Sequence, residues 1–165
     1  PEARVSELEF HFALRGAATR DLLRLLQAHG LLPDRHDFGA WPQLSGLMTG
    51  KLDLTYRVGE RVYVLDYKSN QLPSYDQTAL AERMRASEYD LQALLYAVAL
   101  QRWLRLRLGA AYDFDRHFGG ARYVFCRGLD ARQELGDPET ARGIFVPELP
   151  RALVDAAEAL LAGAP

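Results

Sequence analysis

The 165-residue chain holds a single cysteine, Cys126. One thiol cannot build a disulfide framework or a cysteine-based zinc centre, and a reducing compartment suits such a chain. No apolar run approaches the length that spans a bilayer. Pro1 to Ser6 is polar and lacks the apolar stretch of a signal peptide. An excess of positive charge is also missing: 20 Lys and Arg stand against 22 Asp and Glu, a net charge of −2. A free-standing nucleic-acid binder draws much of its affinity from cations on phosphates. This chain therefore either leaves nucleic acid alone or has the strand delivered to it. An initiating methionine is absent too, and the chain is expected to be a piece excised from a longer protein.

What is present is ordinary for a globular domain: 48% hydrophobic and 25% charged residues. The length predicts one domain, residues 1–165, with one core. Val5 to Leu14 alternates, with Leu8, Phe10, Phe12 and Leu14 on one face and Glu7, Glu9 and His11 on the other, so a half-buried strand is predicted. A helix is expected from Arg20 to Ala28, with Thr19 as N-cap and Gly30 as its stop. Leu44–Arg57 and Arg61–Lys68 read as a hairpin around Gly59. Ser74 is placed as the cap of a helix running to Arg85. Ser87 to Asp90 resembles a capping box opening a helix from Glu88 to Leu108. Tyr112–Gly120 reads as a loop, Arg122–Arg127 as a strand and Gly128–Pro147 as irregular. Pro150–Leu161 is an amphipathic closing helix. The sum is an α/β or α+β domain, a small mixed sheet covered by helices.

The chemistry concentrates in Gly50-Lys51-Leu52-Asp53-Leu54 and Val64-Leu65-Asp66-Tyr67-Lys68-Ser69-Asn70. Residues two apart on a strand share a face, so Asp66 and Lys68 point the same way. The hairpin brings Asp53 alongside them. Two carboxylates and an ammonium then converge, and hard oxygen ligands of this kind suit Mg²⁺ or Mn²⁺. The spacing alone leaves a second reading standing, a solvated surface ion pair worth little. The apolar run Val62 to Leu65 before Asp66 is a poor setting for mere solubility.

The pattern of Asp, then Asp-x-Lys on a hairpin, resembles the PD-(D/E)XK nuclease superfamily. Within it, four blocks in order are similar to the RecB-type C-terminal nuclease domain of exodeoxyribonuclease V beta subunits. They are Met48–Leu54, Tyr63–Asn70, Tyr89-Asp90-Leu91-Gln92 with Tyr96 and Leu100, and His117-Phe118-Gly119-Gly120 with Tyr123, Phe125, Arg127 and Gly128. The resemblance implies a restriction-endonuclease-like mixed sheet flanked by helices, and a Mg²⁺-dependent deoxyribonuclease in which Mn²⁺ can substitute. Asp53, Asp66 and the Tyr67 carbonyl are the implied metal ligands, Lys68 the catalytic lysine, and Gln92 and Tyr96 its neighbours. Tyr89, Gln92 and Tyr96 share one helix face; a polar seam packed on the sheet remains an alternative for Tyr89. The family's further histidine ligand lies on a helix before the first strand. His11, His29, His36 and His117 do not match it, and none is assigned to the metal.

The resemblance further implies single-stranded DNA fed by a helicase, RecC and RecD as partner subunits, the RecA recombinase as a docking partner, and a bacterial cytoplasm. Iron–sulfur members of the superfamily are excluded by the lone cysteine. The competing expectation is a protein-interaction module that docks RecA with little activity of its own. Leu94, Leu95, Val98 and Leu104 read as core. Arg102, Arg105 and Arg107 read as solvated cations favoured by a helix C-terminus rather than as a DNA-facing edge. Cys126 reads as a small core residue.

Overall fold

Two strands of 16 residues each, β1 (Ala3–Ala18) and β2 (Gln43–Val58), pair antiparallel along most of their length. The computed structural model describes residues 3–130 and 141–163. Between these strands lies α1 (Thr19–Ala28), which buries Leu22, Leu23 and Leu26. Strand β2 turns back into β3 (Arg61–Lys68), and Val58 pairs directly with Arg61. The connection is therefore two residues long, one shorter than expected from sequence, and Gly59 takes the positive φ of 57° that so tight a reversal needs.

Strand β3 pairs parallel with β4 (Phe118–Phe125), and parallel neighbours need a crossover. Helices α2 (Gln77–Ala86) and α3 (Tyr89–Leu108) supply it. A two-residue strand, β5 (Ile144–Phe145), closes the edge, so the mixed sheet runs β1-β2-β3-β4-β5. It falls within the stretch expected to be irregular; residues 131–140 of that stretch lie outside those described. Helix α5 (Arg151–Leu161) packs against α1, α3 and β1.

The core lies between the sheet and α3, whose Leu94, Val98 and Leu104 are buried as the apolar pattern predicts, while Leu95 is half-buried; Leu100 is buried too. Buried residues follow one another without a gap from Tyr96 to Gln101, so the middle of α3 is covered on all sides, which an amphipathic surface helix would not show.

Several local expectations are corrected. Thr19 does not cap α1; its hydroxyl lies 2.9 Å from the Trp41 carbonyl and 3.2 Å from that of Pro42, fastening the returning chain. Ser74 does not cap α2. Asp76 does, accepting from Ala79 N–H at 2.9 Å, because a carboxylate is the stronger acceptor; Ser74 donates to that carboxylate instead. No capping box opens α3. Glu88 joins α2 to α3 in a left-handed conformation without a side-chain cap, and Asp90 is buried. The segment 112–120 is not all loop: Asp113 caps the short helix α4 (Phe114–His117), and β4 starts directly after it. Cys126 is exposed, because β4 ends at Phe125 and the chain enters a 3-10 turn.

Of the α3 arginines, Arg107 is exposed as expected, but Arg102 and Arg105 are not merely solvated. Arg102 and Arg105 both pair with Glu158 of α5, at 3.3 and 2.8 Å. Fully buried Gln101 donates to Glu158 and Asp155, and accepts from the Tyr112 hydroxyl at 3.1 Å. Burial pushes that hydroxyl up to about 12. Glu158→Ala would strip two guanidiniums of a shared acceptor. It should cost about 2 kcal/mol, a charged hydrogen bond's worth, in urea denaturation. A loss under a few tenths would show that the cluster does not hold α5.

Candidate active site

The β2–β3 hairpin and α3 meet at one end of the sheet, where Asp66 is only 4% exposed. The β2–β3 ladder ends with Leu54 opposite Leu65, one residue short of Asp53 and Asp66. Instead of extending the ladder, the Tyr67 N–H donates to Asp53 Oδ2 at 3.0 Å, which holds the carboxylate against β3. On the other side of Asp53 the β1–β2 ladder skips a pair, at Glu7, whose φ is 54°.

Lys68 is enclosed. Its Nζ lies 2.7 Å from Asp66 Oδ2, with the two side chains 11% and 6% exposed. It donates to Gln92 Oε1 at 2.9 Å and sits 3.8 Å from the Tyr89 ring centroid, a cation–π contact. The Gln92 amide donates to the Tyr96 hydroxyl at 2.9 Å, and that hydroxyl donates to Asp66 Oδ1 at 3.2 Å. Helical spacing explains this closure, since Gln92 and Tyr96 are one turn apart and both face the strand. Asp66, Lys68, Gln92 and Tyr96 thus form one ring of contacts, with Asp53 at its border.

Electrostatics sharpen the picture. Burial raises the Asp66 carboxyl above its usual range; Lys68 opposes that rise, and the nearby Asp53 charge adds to it. Burial and the Asp66 charge also raise the Tyr96 hydroxyl, which stays a donor at ordinary pH. Asp66 Oδ2 is buried and, despite the close ammonium, accepts no hydrogen bond of acceptable geometry. A buried carboxylate oxygen with spare lone pairs beside a second carboxylate fits a hard divalent cation. Among the described residues no group of three or more His, Cys, Asp or Glu comes together as a metal site. Among the described residues, Asp53 and Asp66 are the carboxylates that meet here.

One participant was read only as part of a motif. Tyr123 of β4 is fully buried opposite Asp66, and its hydroxyl lies 3.2 Å from Gln92 Oε1 and 3.3 Å from the Tyr89 carbonyl. In sequence it is one more aromatic on an apolar strand, and only the parallel register with β3 brings it to Gln92. The histidines stay outside the ring. His11 and His36 are exposed, and buried His117 accepts from the Asp113 N–H at 3.0 Å through Nδ1.

A family model described as the PD-(D/E)XK nuclease superfamily matches residues 4–164. The chain belongs to that superfamily. Among curated proteins it is similar to the RecBCD enzyme subunit RecB of Mycolicibacterium smegmatis, 36% identical across 96% of this chain and 17% of the relative. RecBCD enzyme subunit RecB of Haemophilus influenzae is 36% identical across 80% of this chain and 11% of its own length. The same subunit of Escherichia coli (strain K12) is 49% identical across 53% of this chain and 8% of its own length. The chain thus spans between a twelfth and a sixth of the relatives it matches. No helix among the described residues is long and apolar enough to cross a membrane.

The raised Asp66 carboxyl has a signed consequence for stability. Its folded-state pKa lies above the unfolded one, so its contribution is full below about pH 4 and is lost as pH rises through the elevated value. Asp66→Asn should remove that slope. In urea denaturation with chelator, the stability of the parent relative to the variant should fall as pH rises from 4 toward 7. A constant difference would mean that Asp66 titrates normally.

Proposed function

We propose that this chain is the metal-dependent DNA nuclease module of a RecB-type helicase–nuclease, hydrolysing phosphodiesters as broken duplex ends are processed for recombinational repair. The observation that carries this reading is the enclosure of Lys68 against Asp66, with Asp53 alongside. A surface ion pair would not be caged by Gln92, Tyr96, Tyr89 and Tyr123. Asp53, Asp66 and the Tyr67 carbonyl would hold Mg²⁺, or Mn²⁺ in its place. The bound ion would supply charge neutralisation at phosphorus and an acidified water.

The rest falls to the chain's own groups. Lys68 directs an ammonium at the place where charge builds on the phosphoryl oxygens and orients the attacking water. Gln92 fixes Lys68 by accepting one of its three protons. Tyr96 fixes the Asp66 rotamer. In the reaction the water gives up one proton to solvent as its oxygen bonds to phosphorus, the bond to the leaving sugar oxygen breaks, and the leaving oxygen takes up a proton from solvent.

A net charge of −2 gives little long-range pull on a polyanion, which accords with a strand handed over by a helicase motor. RecC and RecD as companions, RecA as a contact, exodeoxyribonuclease V activity and a bacterial cytoplasm belong to the same proposal. So does one nuclease domain over residues 1–165, within a longer helicase–nuclease chain. The alternative, a module that only docks a recombinase, gives no reason to bury Asp66 and Lys68 together.

The test is cleavage of single-stranded oligonucleotide in low salt with Mg²⁺ or excess Mn²⁺. Asp66→Ala should abolish cleavage. Lys68→Ala should slow it by about 100-fold or more while calorimetric metal binding survives, since an ammonium has no lone pair to give a cation. Cleavage by Asp66→Ala at the parent rate would overturn the reading, and lost metal binding in Lys68→Ala would overturn the role of Lys68.

Two carboxylates and a carbonyl leave much of the coordination sphere to water, so the ion should be held loosely. Cleavage should therefore keep rising with Mg²⁺ through the millimolar range, and saturation at micromolar Mg²⁺ would show a fuller ligand set.

A further inference from the structure

A groove of about 500 Å³ lies between the paired strands β1 and β2 and the start of α3, beside the buried pair. Gln92 and Tyr96, which fix Lys68 and Asp66 on one side, also line this groove. Its apolar lining is Phe10, Met48, Leu91 and Leu95. Nothing in the chemistry proposed above uses that surface.

Three features define what the groove can hold. Its volume lies within the 300–1,000 Å³ that ordinarily holds a small ligand, roughly a nucleotide. Its apolar part is pre-set: Phe10 stacks on Phe12 with ring centroids 5.7 Å apart and meets Tyr96 edge-on at 6.3 Å. Gly50, paired with Phe10 across the ladder, makes this possible, since a Cβ there would lie 2.3 Å from the ring. The ring therefore lies over the bare backbone of β2. Third, the rim is not anionic. Glu88 is ion-paired with Arg35, and Lys51 stands at the rim, 3.5 Å from Glu7.

We propose that this groove seats one base of the DNA strand, that of the nucleotide flanking the phosphate held at Asp66 and Lys68. The inference rests on the nuclease reading and deepens it. A flat apolar ring joined to an anionic backbone matches an apolar slot with the Lys51 ammonium at its rim and Lys68 hydrogen-bonded to Gln92 of its wall. The shared wall of Gln92 and Tyr96 places the base within one nucleotide of the reacting phosphate. Stacking on apolar and aromatic surface is tolerant of sequence, because every base presents a π face. The groove thus serves as a positioning subsite for any base and selects for an unstacked strand, since a base held in a duplex cannot enter.

The experiment compares an oligothymidylate with a fully abasic deoxyribose-phosphate oligomer of equal length. Binding of each to the full chain is read by anisotropy in low salt with chelator, so that no cleavage occurs. The parent should bind the oligothymidylate about 10-fold more tightly, at the low end of what base stacking contributes. Leu91→Ala and Met48→Ala, both at partly buried positions, should bring that ratio toward one while leaving affinity for the abasic oligomer unchanged. A merely structural role would lower both affinities together. A parent ratio near one, or a ratio unmoved by both variants, overturns the proposal. Cleavage in Mg²⁺ is scored separately. Its absence overturns the nuclease reading, and the ratio still decides the groove.

Discussion

A carboxylate and an ammonium taken out of water together set the terms for the rest of this end of the molecule. Burying either charge alone would cost several kcal/mol, and the pair repays that only when the remaining donors and acceptors are matched. Lys68 is matched, by Asp66, Gln92 and the Tyr89 ring. Asp66 is matched on one oxygen by Tyr96 and left short on the other. The cost of burial, which Lys68 only partly offsets, is what makes the carboxyl harder to ionise. It is also what a cation would relieve, so the defect in stability and the proposed function share one atom.

Helix α3 carries this arrangement because it is held from every side. Its middle is buried against the sheet and α5, and Gln101, Arg102 and Arg105 tie it to Glu158 and Asp155. Gln92 and Tyr96 therefore project from a rigid element rather than from a loop. The hairpin opposite is equally constrained, by a two-residue turn at one end and by the Tyr67 N–H bond to Asp53 at the other. Rigid supports on both sides keep the carboxylates and the ammonium in register.

Much of this was legible before any coordinates. The alternation of β1 reported burial, because one face of the strand had to leave water; the apolar stripe of α3 marked its core contact but not that its middle is covered all round. The Asp-x-Lys pair was visible because strand geometry puts residues two apart on one face. Helix caps were read less well. Thr19, Ser74 and Ser87 are all good N-cap residues, yet none caps its helix. Each lost to a partner outside the local window or to a stronger acceptor nearby: the Trp41 and Pro42 carbonyls, the Asp76 carboxylate, and the left-handed joint at Glu88. Arg102 and Arg105 of α3 were misjudged for the same reason, since Glu158 lies more than 50 residues away in the chain.

The order of residues alone settles which chemistry is available: two carboxylates and one lysine on a hairpin, a Gln and a Tyr one helical turn apart, and a single thiol. Those are properties of residue type and short spacing, and backbone geometry converts them directly into shared faces. Only the tertiary structure decided that Gln92 grips Lys68 rather than water, that Tyr123 completes the enclosure, and that Asp66 is dry. Each of these depends on the parallel register of β3 and β4 and on where the crossover sets α3 down. Burial and long-range register are cooperative outcomes of packing, and no local window of the chain contains them.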